Sequence, residues 1–305
     1  MVEASLGYLT EPFFYFVEPA KRLYWMHLLG SVLLAGLYFW FKKTAQATSS
    51  NLRQVLSLKY WWNESTRVDY LLLFMNGALK LALFTPLFGG QLVVAIVTAR
   101  YLHLQVAEAP HWAAAPLLVS AVFTFTAFVF DDLTRFLTHL AMHRSPLLWR
   151  IHRLHHTATT LTPFTVFRTH PIEALINFAR SIVVLGALSG IFIWALGPQL
   201  QVWDILGVNA LGFVLTFAGS NLRHSHIPLH FGALERVLIS PAQHQLHHSK
   251  HHGHCNLGSY LSCWDRLAAT SVAGAQAVEL EFGLDEPAEY SRGAVLLWRK
   301  ATQTA

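Results

Sequence analysis

The sequence predicts an all-α protein in which polytopic transmembrane helices carry a histidine-rich helical cap on the cytoplasmic side. Three observations lead there. Apolar residues make up 53% of the 305 and charged ones 13%, about half the usual charge fraction of a soluble domain, too few to cover a water-facing surface of this size. Five apolar runs reach or approach the roughly 17–25 residues that a bilayer-crossing helix needs. Fifteen of the eighteen histidines lie between His139 and His254.

The apolar runs cover 24–40, 70–99, 113–130, 175–196 and the shorter 203–217. The second holds Asn76, Lys80, Pro86, Gly89 and Gly90, so it reads equally as one long tilted helix, a span with an interfacial piece, or a hairpin of two short helices. Orientation follows from the basic loops, which stay on the cytoplasmic side. Segment 42–68 carries Lys42, Lys43, Arg53, Lys59 and Arg67; segment 131–172 carries Arg135, Arg144, Arg150, Arg153 and Arg168. Segment 220–305 adds seven more, whereas loops 100–112 and 198–202 hold only Arg100. Five spans with a non-cytoplasmic N-terminus put all three basic segments inside, and two spans separate the first histidine group from the second whatever happens at 70–99. Met1-Val2-Glu3-Ala4 has no basic stretch and Lys42-Lys43 follows the first run, so no cleaved secretory signal is expected. The expected organisation is an N-terminal transmembrane region (1–112), a catalytic domain (113–270) and a C-terminal tail (271–305).

His139 and His143 form an HxxxH pair; His152, His155, His156 and His244, His247, His248 form two HxxHH groups. Residues three and four apart share a helix face, so each group fans its imidazoles in one direction. Eight histidines exceed the ligand set of one ion, and two metals are the simplest reading. Cys255 and Cys263 are the only cysteines, too few for a thiolate site or a CxxC pair, so nitrogen and oxygen must do the work. An all-imidazole set suits iron, zinc, copper or nickel and does not choose among them. One HxxxH at a membrane exit is as often an interfacial polar pair. Both HxxHH groups on one side, with His224 near the second, turn the reading to metal. His170 and His226 stand between two roles, ligand or orienting partner of a ligand. The same choice faces Glu173, Asp265 and the Asp131-Asp132 pair, which could also mark the membrane surface. His251, His252 and His254 flank Gly253 in a loop, and His230 beside Pro228 faces solvent.

In this order, HxxxH (139–143), Leu147-Leu148-Trp149, HxxHH (152–156), Arg168-Thr-His170-Pro171-Ile-Glu173, Asn221-Leu-Arg-His224-Ser-His226, Ser240-Pro241-Ala-Gln-His244-Gln-Leu-His247-His248, Asn256-Leu-Gly258 and Trp264-Asp265-Arg266, the motifs resemble those of the sterol desaturase and fatty acid hydroxylase superfamily of integral-membrane di-iron enzymes. The likeness covers roughly residues 113–270. It implies two iron ions, with zinc able to occupy the site in a purified sample, and O2-dependent hydroxylation of a sterol, fatty acyl or other lipid. Lipid desaturation on the same site is the alternative. It also implies His139, His143, His152, His155, His156, His244, His247 and His248 as ligands, His224 as a further one, and an integral-membrane location in a bacterial inner membrane or the endoplasmic reticulum. Two departures stand out: Ser259 where family members carry an aromatic residue, and Ala268-Ala269-Thr270 where they carry Phe-Gly-Thr, changes expected to affect packing under the metal site.

No nucleotide-binding GxGxxG, haem CxxCH or iron–sulfur spacing occurs, so electrons must come from a partner, cytochrome b5 with its reductase or a ferredoxin. A zinc-dependent membrane hydrolase would need a carboxylate base as in HExxH, which the sequence lacks. A metal transporter would place its ligands inside the spans. The net charge of +5 is explained by the cytoplasmic loops, so nucleic acid is not an expected partner.

Overall fold

The structure, a computed structural model, describes residues 11–41, 53–84, 87, 89–106, 108–110, 115–197, 204–205, 208–277 and 280–284. Residues 44–50, a run of small and polar residues that reads as a linker, and the tail beyond 284 lie outside them. The longer helices are α1 (Trp25–Phe41), α2 (Glu64–Phe84), α3 (Gly90–Gln105), α4 (Pro116–Arg144), α5 (Pro146–His156), α6 (Pro171–Leu196), α7 (Ala210–Phe217), α8 (Pro241–His248) and α9 (Cys263–Leu267). The fold is all-helical as predicted. Among the described residues the exception is a two-residue antiparallel ladder, Asp204↔Asn209 and Ile205↔Val208.

The apolar run 70–99 resolves into two helices, α2 and α3, with Gly89 at the left-handed φ of 82° just before α3, a conformation glycine adopts without steric cost. The expected fifth span at 203–217 is corrected. Its described helix α7 has eight residues, about 12 Å of rise, because the Asn209 side chain accepts from the Leu211 and Gly212 amides and starts the helix there.

α4 and α6 are long and apolar enough to cross a membrane, and only 28% and 17% of their most apolar stretches are buried. That is the reverse of a soluble core helix and the pattern of a membrane-embedded layer. Val32, Trp40, Leu92, Ile96, Leu117, Phe125 and Val183 are all more than half exposed, an apolar girdle of the kind that meets a membrane or a partner. Within it α3 and α6 approach closely. A Cβ on Gly190 would fall 2.5 Å from the Ala95 carbonyl oxygen, and one on Gly186 2.7 Å from Val94 Cβ, so this small-xxx-small pair sets the contact.

At 29 residues α4 is about 43 Å long, well beyond the roughly 30 Å hydrocarbon core, and its last turns carry His139 and His143 clear of the apolar stretch. Ser145 ends α4 and caps α5, with Pro146 in the first turn. Beneath the histidines, Asp132 binds the C-terminal loop to α4, its carboxylate accepting from Tyr260 N (2.9 Å), Leu261 N (3.0 Å) and Trp264 Nε1 (3.0 Å).

Ala269 follows α9 with φ 57°, the left-handed position that glycine normally fills after a helix. The family's Phe-Gly-Thr element has its glycine here, so this departure acts through the backbone rather than through packing. Ala269→Gly is expected to stabilise the protein by about 1 kcal/mol, read as a higher Tm.

Candidate metal centre

Each histidine box is placed by a helix with a defined start. Ser240 opens α8 with a reciprocal capping box, its hydroxyl accepting from Gln243 N while Gln243 Oε1 accepts from Ser240 N, and Pro241 occupies the first turn. α8 is buried almost throughout. It therefore delivers His244, His247 and His248 into the interior rather than to a surface.

The nine histidines form two groups in which the ligand atoms lie within 4.8 Å of one another: His139, His143, His152, His156 and His247 in one, His155, His224, His244 and His248 in the other. Each HxxHH box is divided between them. On α5 the i,i+4 pair His152/His156 serves the first group and His155 the second; on α8 the pair His244/His248 serves the second and His247 the first. The groups adjoin, with the His156 and His248 rings stacked at 4.7 Å between centroids and the His247 and His248 rings at 5.2 Å.

The ring nitrogens fit a metal. His139 Nδ1 donates to the Leu257 carbonyl at 2.7 Å, His247 Nδ1 to the Cys255 carbonyl at 2.9 Å and His155 Nδ1 to the Arg168 carbonyl at 3.3 Å. A carbonyl accepts only, so the proton sits on Nδ1 and the Nε2 lone pair is left for the centre of the group. His152 Nδ1 likewise faces Glu173 Oε1 at 2.9 Å. Nε2 atoms then crowd together: His139 to His152 at 3.0 Å, and His224, His244 and His248 in a triangle with 3.2 Å edges. Rings that share one ion at about 2.1 Å stand about that far apart. Buried His247 Nε2 and both ring nitrogens of His143 have no hydrogen-bond partner, a costly state unless something accepts their lone pairs. Burial, reinforced by neighbouring imidazoles, holds His155 down to about 3 and His156, His224, His244, His247 and His248 well below the ordinary imidazole value. All are neutral, ligand-competent rings at pH 7.

Two histidines assigned from sequence to the metal set are not brought to either group. His170 caps α6, its Nδ1 accepting from Ile172 N at 3.2 Å. His226 Nε2 accepts from Leu161 N at 3.2 Å, which uses its lone pair, and its ring stands edge-on to Tyr60 and Phe282. Neither aspartate of the 131–132 pair touches an imidazole: Asp131 pairs with Arg135 (2.8 Å) and Arg180 (2.9 Å). Asp265 acts one step further out. It accepts from Leu257 N (2.6 Å), Gly258 N (2.8 Å) and the Thr270 hydroxyl (2.7 Å), fixing the loop whose Leu257 carbonyl orients His139. Asn256, at φ 53°, holds the same loop by donating to Gln243 O and accepting from Val272 N. Sequence reasoning recorded Asn256-Leu-Gly258 only as part of the motif order; its carbonyl's contact with His139 spans 118 residues and leaves no local signal.

Glu173 is the carboxylate that reaches a clustered imidazole. Glu173→Gln is expected to weaken metal binding at the first group 10- to 100-fold, measured by chelator competition. An unchanged affinity would reduce the contact to packing.

Residues 124–270 match the fatty acid hydroxylase family. The chain is 30% identical over 140 residues to an ornithine lipid hydroxylase, OlsE, of Rhizobium tropici, an alignment covering 44% of this chain and 37% of that protein. The chain thus spans well under half the length of the curated relative it matches. No solved structure matches it. The resemblance read from the boxes is borne out over this segment, 124–270.

Proposed function

We propose that the protein is a membrane-bound, non-haem di-iron hydroxylase that inserts oxygen from O2 into a C–H bond of a lipid. The observation that carries this reading is the division of both HxxHH boxes into two adjoining imidazole groups, a ligand set for two ions side by side. Two irons so held would supply the O2 activation that attack on an unactivated C–H bond requires. The protein's own part is placement. The Leu257, Cys255 and Arg168 carbonyls keep the rings turned inward, and a cavity of about 470 Å3 opens against His139, His152, His155, His224 and His244. A larger cavity of about 810 Å3 lies among α3, α4, α6 and α7, inside the apolar layer, where a lipid chain could lie without crossing water.

The catalytic unit is residues 113–270, with the histidines on the cytoplasmic side, the side that basic loops favour. Electrons come from an external donor, a cytochrome b5 with its reductase or a ferredoxin. The test compares lipid extracts of a host expressing the wild type with one expressing His155→Ala, by untargeted high-resolution mass spectrometry. A lipid that gains one oxygen atom only with the wild type is expected. Loss of two hydrogens instead would make the enzyme a desaturase.

A further inference from the structure

Four arginines line the cavity that meets the histidines: Arg22, Arg135, Arg180 and Arg223. Two of them, Arg135 and Arg180, share one carboxylate, Asp131, so that trio still carries a net positive charge. The other two have no carboxylate within ion-pair distance among the described residues. Asp132, whose charge acts on Arg223, spends its oxygens on Tyr260 N, Leu261 N and Trp264 Nε1. The Arg22 and Arg223 guanidinium carbons lie 5.7 and 5.4 Å from the centre of one ring, that of Tyr260. Arg223 is 7% exposed, donates to the Ser259 carbonyl, and its Nε has no partner. Arg22 is partly buried and Arg223 buried, and the charge of the first acts against that of the second, a repulsion that an anion between them would relieve.

Their position says which part of a substrate would meet them. Arg22 lines both cavities. On one side are Leu92, Ala95, Phe123, Phe128, Leu185 and Ile193 of the larger cavity; on the other are the imidazoles. A fork of guanidinium donors is the preferred protein partner for a carboxylate or phosphate.

We propose that Arg22 and Arg223, set about the Tyr260 ring at the neck between the two cavities, bind the oxyanion of an anionic lipid, a carboxylate or a phosphate, while its chain occupies the apolar cavity. This deepens the lipid hydroxylase reading and rests on it for the role of the histidine chamber. Tyr260 registers the same field: burial pushes its phenol up, and the guanidiniums of Arg22, Arg135 and Arg223, with the Thr216 hydrogen bond, more than reverse that.

The test uses the full metal-loaded chain in detergent and reads binding by tryptophan fluorescence. Three probes share one acyl chain: palmitate, palmitoyl lysophosphatidate and neutral monopalmitoylglycerol. At least one charged probe is expected to bind tenfold or more tightly than the neutral one. Preference for palmitate assigns a carboxylate lipid and preference for lysophosphatidate a phospholipid. Arg22→Gln, which lies far in sequence from every histidine of the two groups, is expected to remove about tenfold of that affinity while leaving the neutral probe's binding and the metal content unchanged. Arg223→Gln should remove a similar share of the affinity for the charged probe. Equal binding of charged and neutral probes, or wild-type affinity for both charged probes in both variants, overturns the proposal. Metal content per chain is measured in parallel, so a wild type without two metals would count against the di-iron reading while the binding result still decides the arginines.

Discussion

His247→Ala is expected to bring the metal content from two ions per chain to one and to lower hydroxylation more than 100-fold. The expectation comes from the division of the third box. His247 is fully buried, its Nδ1 is committed to the Cys255 carbonyl, and its Nε2 has no other partner, so alanine removes a donor that nothing nearby replaces. Its neighbours in sequence, His244 and His248, belong to the other group and keep their mutual 3.2 Å contact. His155→Ala mirrors this from α5, removing the one histidine which that box gives to the second group. Elemental analysis of the purified variants, alongside turnover with donor supplied, tests both, and equal loss of both ions in each variant would mean the groups act as one centre. His251→Ala, in an exposed loop residue outside both groups, should retain both metals and full activity.

Much of this was legible in the sequence because it is local. The i,i+4 and i,i+3 spacings of His139/His143, His152–His156 and His244–His248 decide which way each helix fans its rings, and the apolar runs at 113–130 and 175–196 announce α4 and α6. What the spacing could not tell was how a box divides. His155 and His156 are adjacent in the chain yet face different groups, a consequence of the 100° step of a helix meeting two ring clusters rather than one. His170 and His226 fail for the complementary reason. Each stands in a motif that left it between ligand and orienting partner, but its lone pair is taken by a backbone amide, Ile172 N or Leu161 N, and such satisfaction depends on how the turn closes. The fifth apolar run misled because composition measures hydrophobicity and not continuity: Asn209 starts a helix inside it.

The contact with the largest expected effect on stability is likewise long-range. Asp69 on α2 is fully buried, and its two oxygens accept from Arg168 Nε at 2.6 Å and from the Thr165 hydroxyl at 2.8 Å. The rest of the Arg168 guanidinium donates to the Thr157 hydroxyl and to Ser65, so a side chain only 2% exposed has every nitrogen satisfied. Arg168 also supplies the carbonyl that orients His155, so the pair ties α2 to the second metal group across almost a hundred residues. Asp69→Ala leaves a guanidinium buried without its counter-charge, which costs about 3–5 kcal/mol, and is expected to lower the Tm and to weaken metal binding in the group containing His155 more than in the group containing His247. Removing both charges separates this from mere loss of packing. Because a buried ion pair repays little more than its own desolvation, Asp69→Ala combined with Arg168→Met should recover part of the lost Tm. A double variant less stable than Asp69→Ala alone would show that Arg168 stabilises the fold through its contacts with Thr157 and Ser65 and not through the carboxylate.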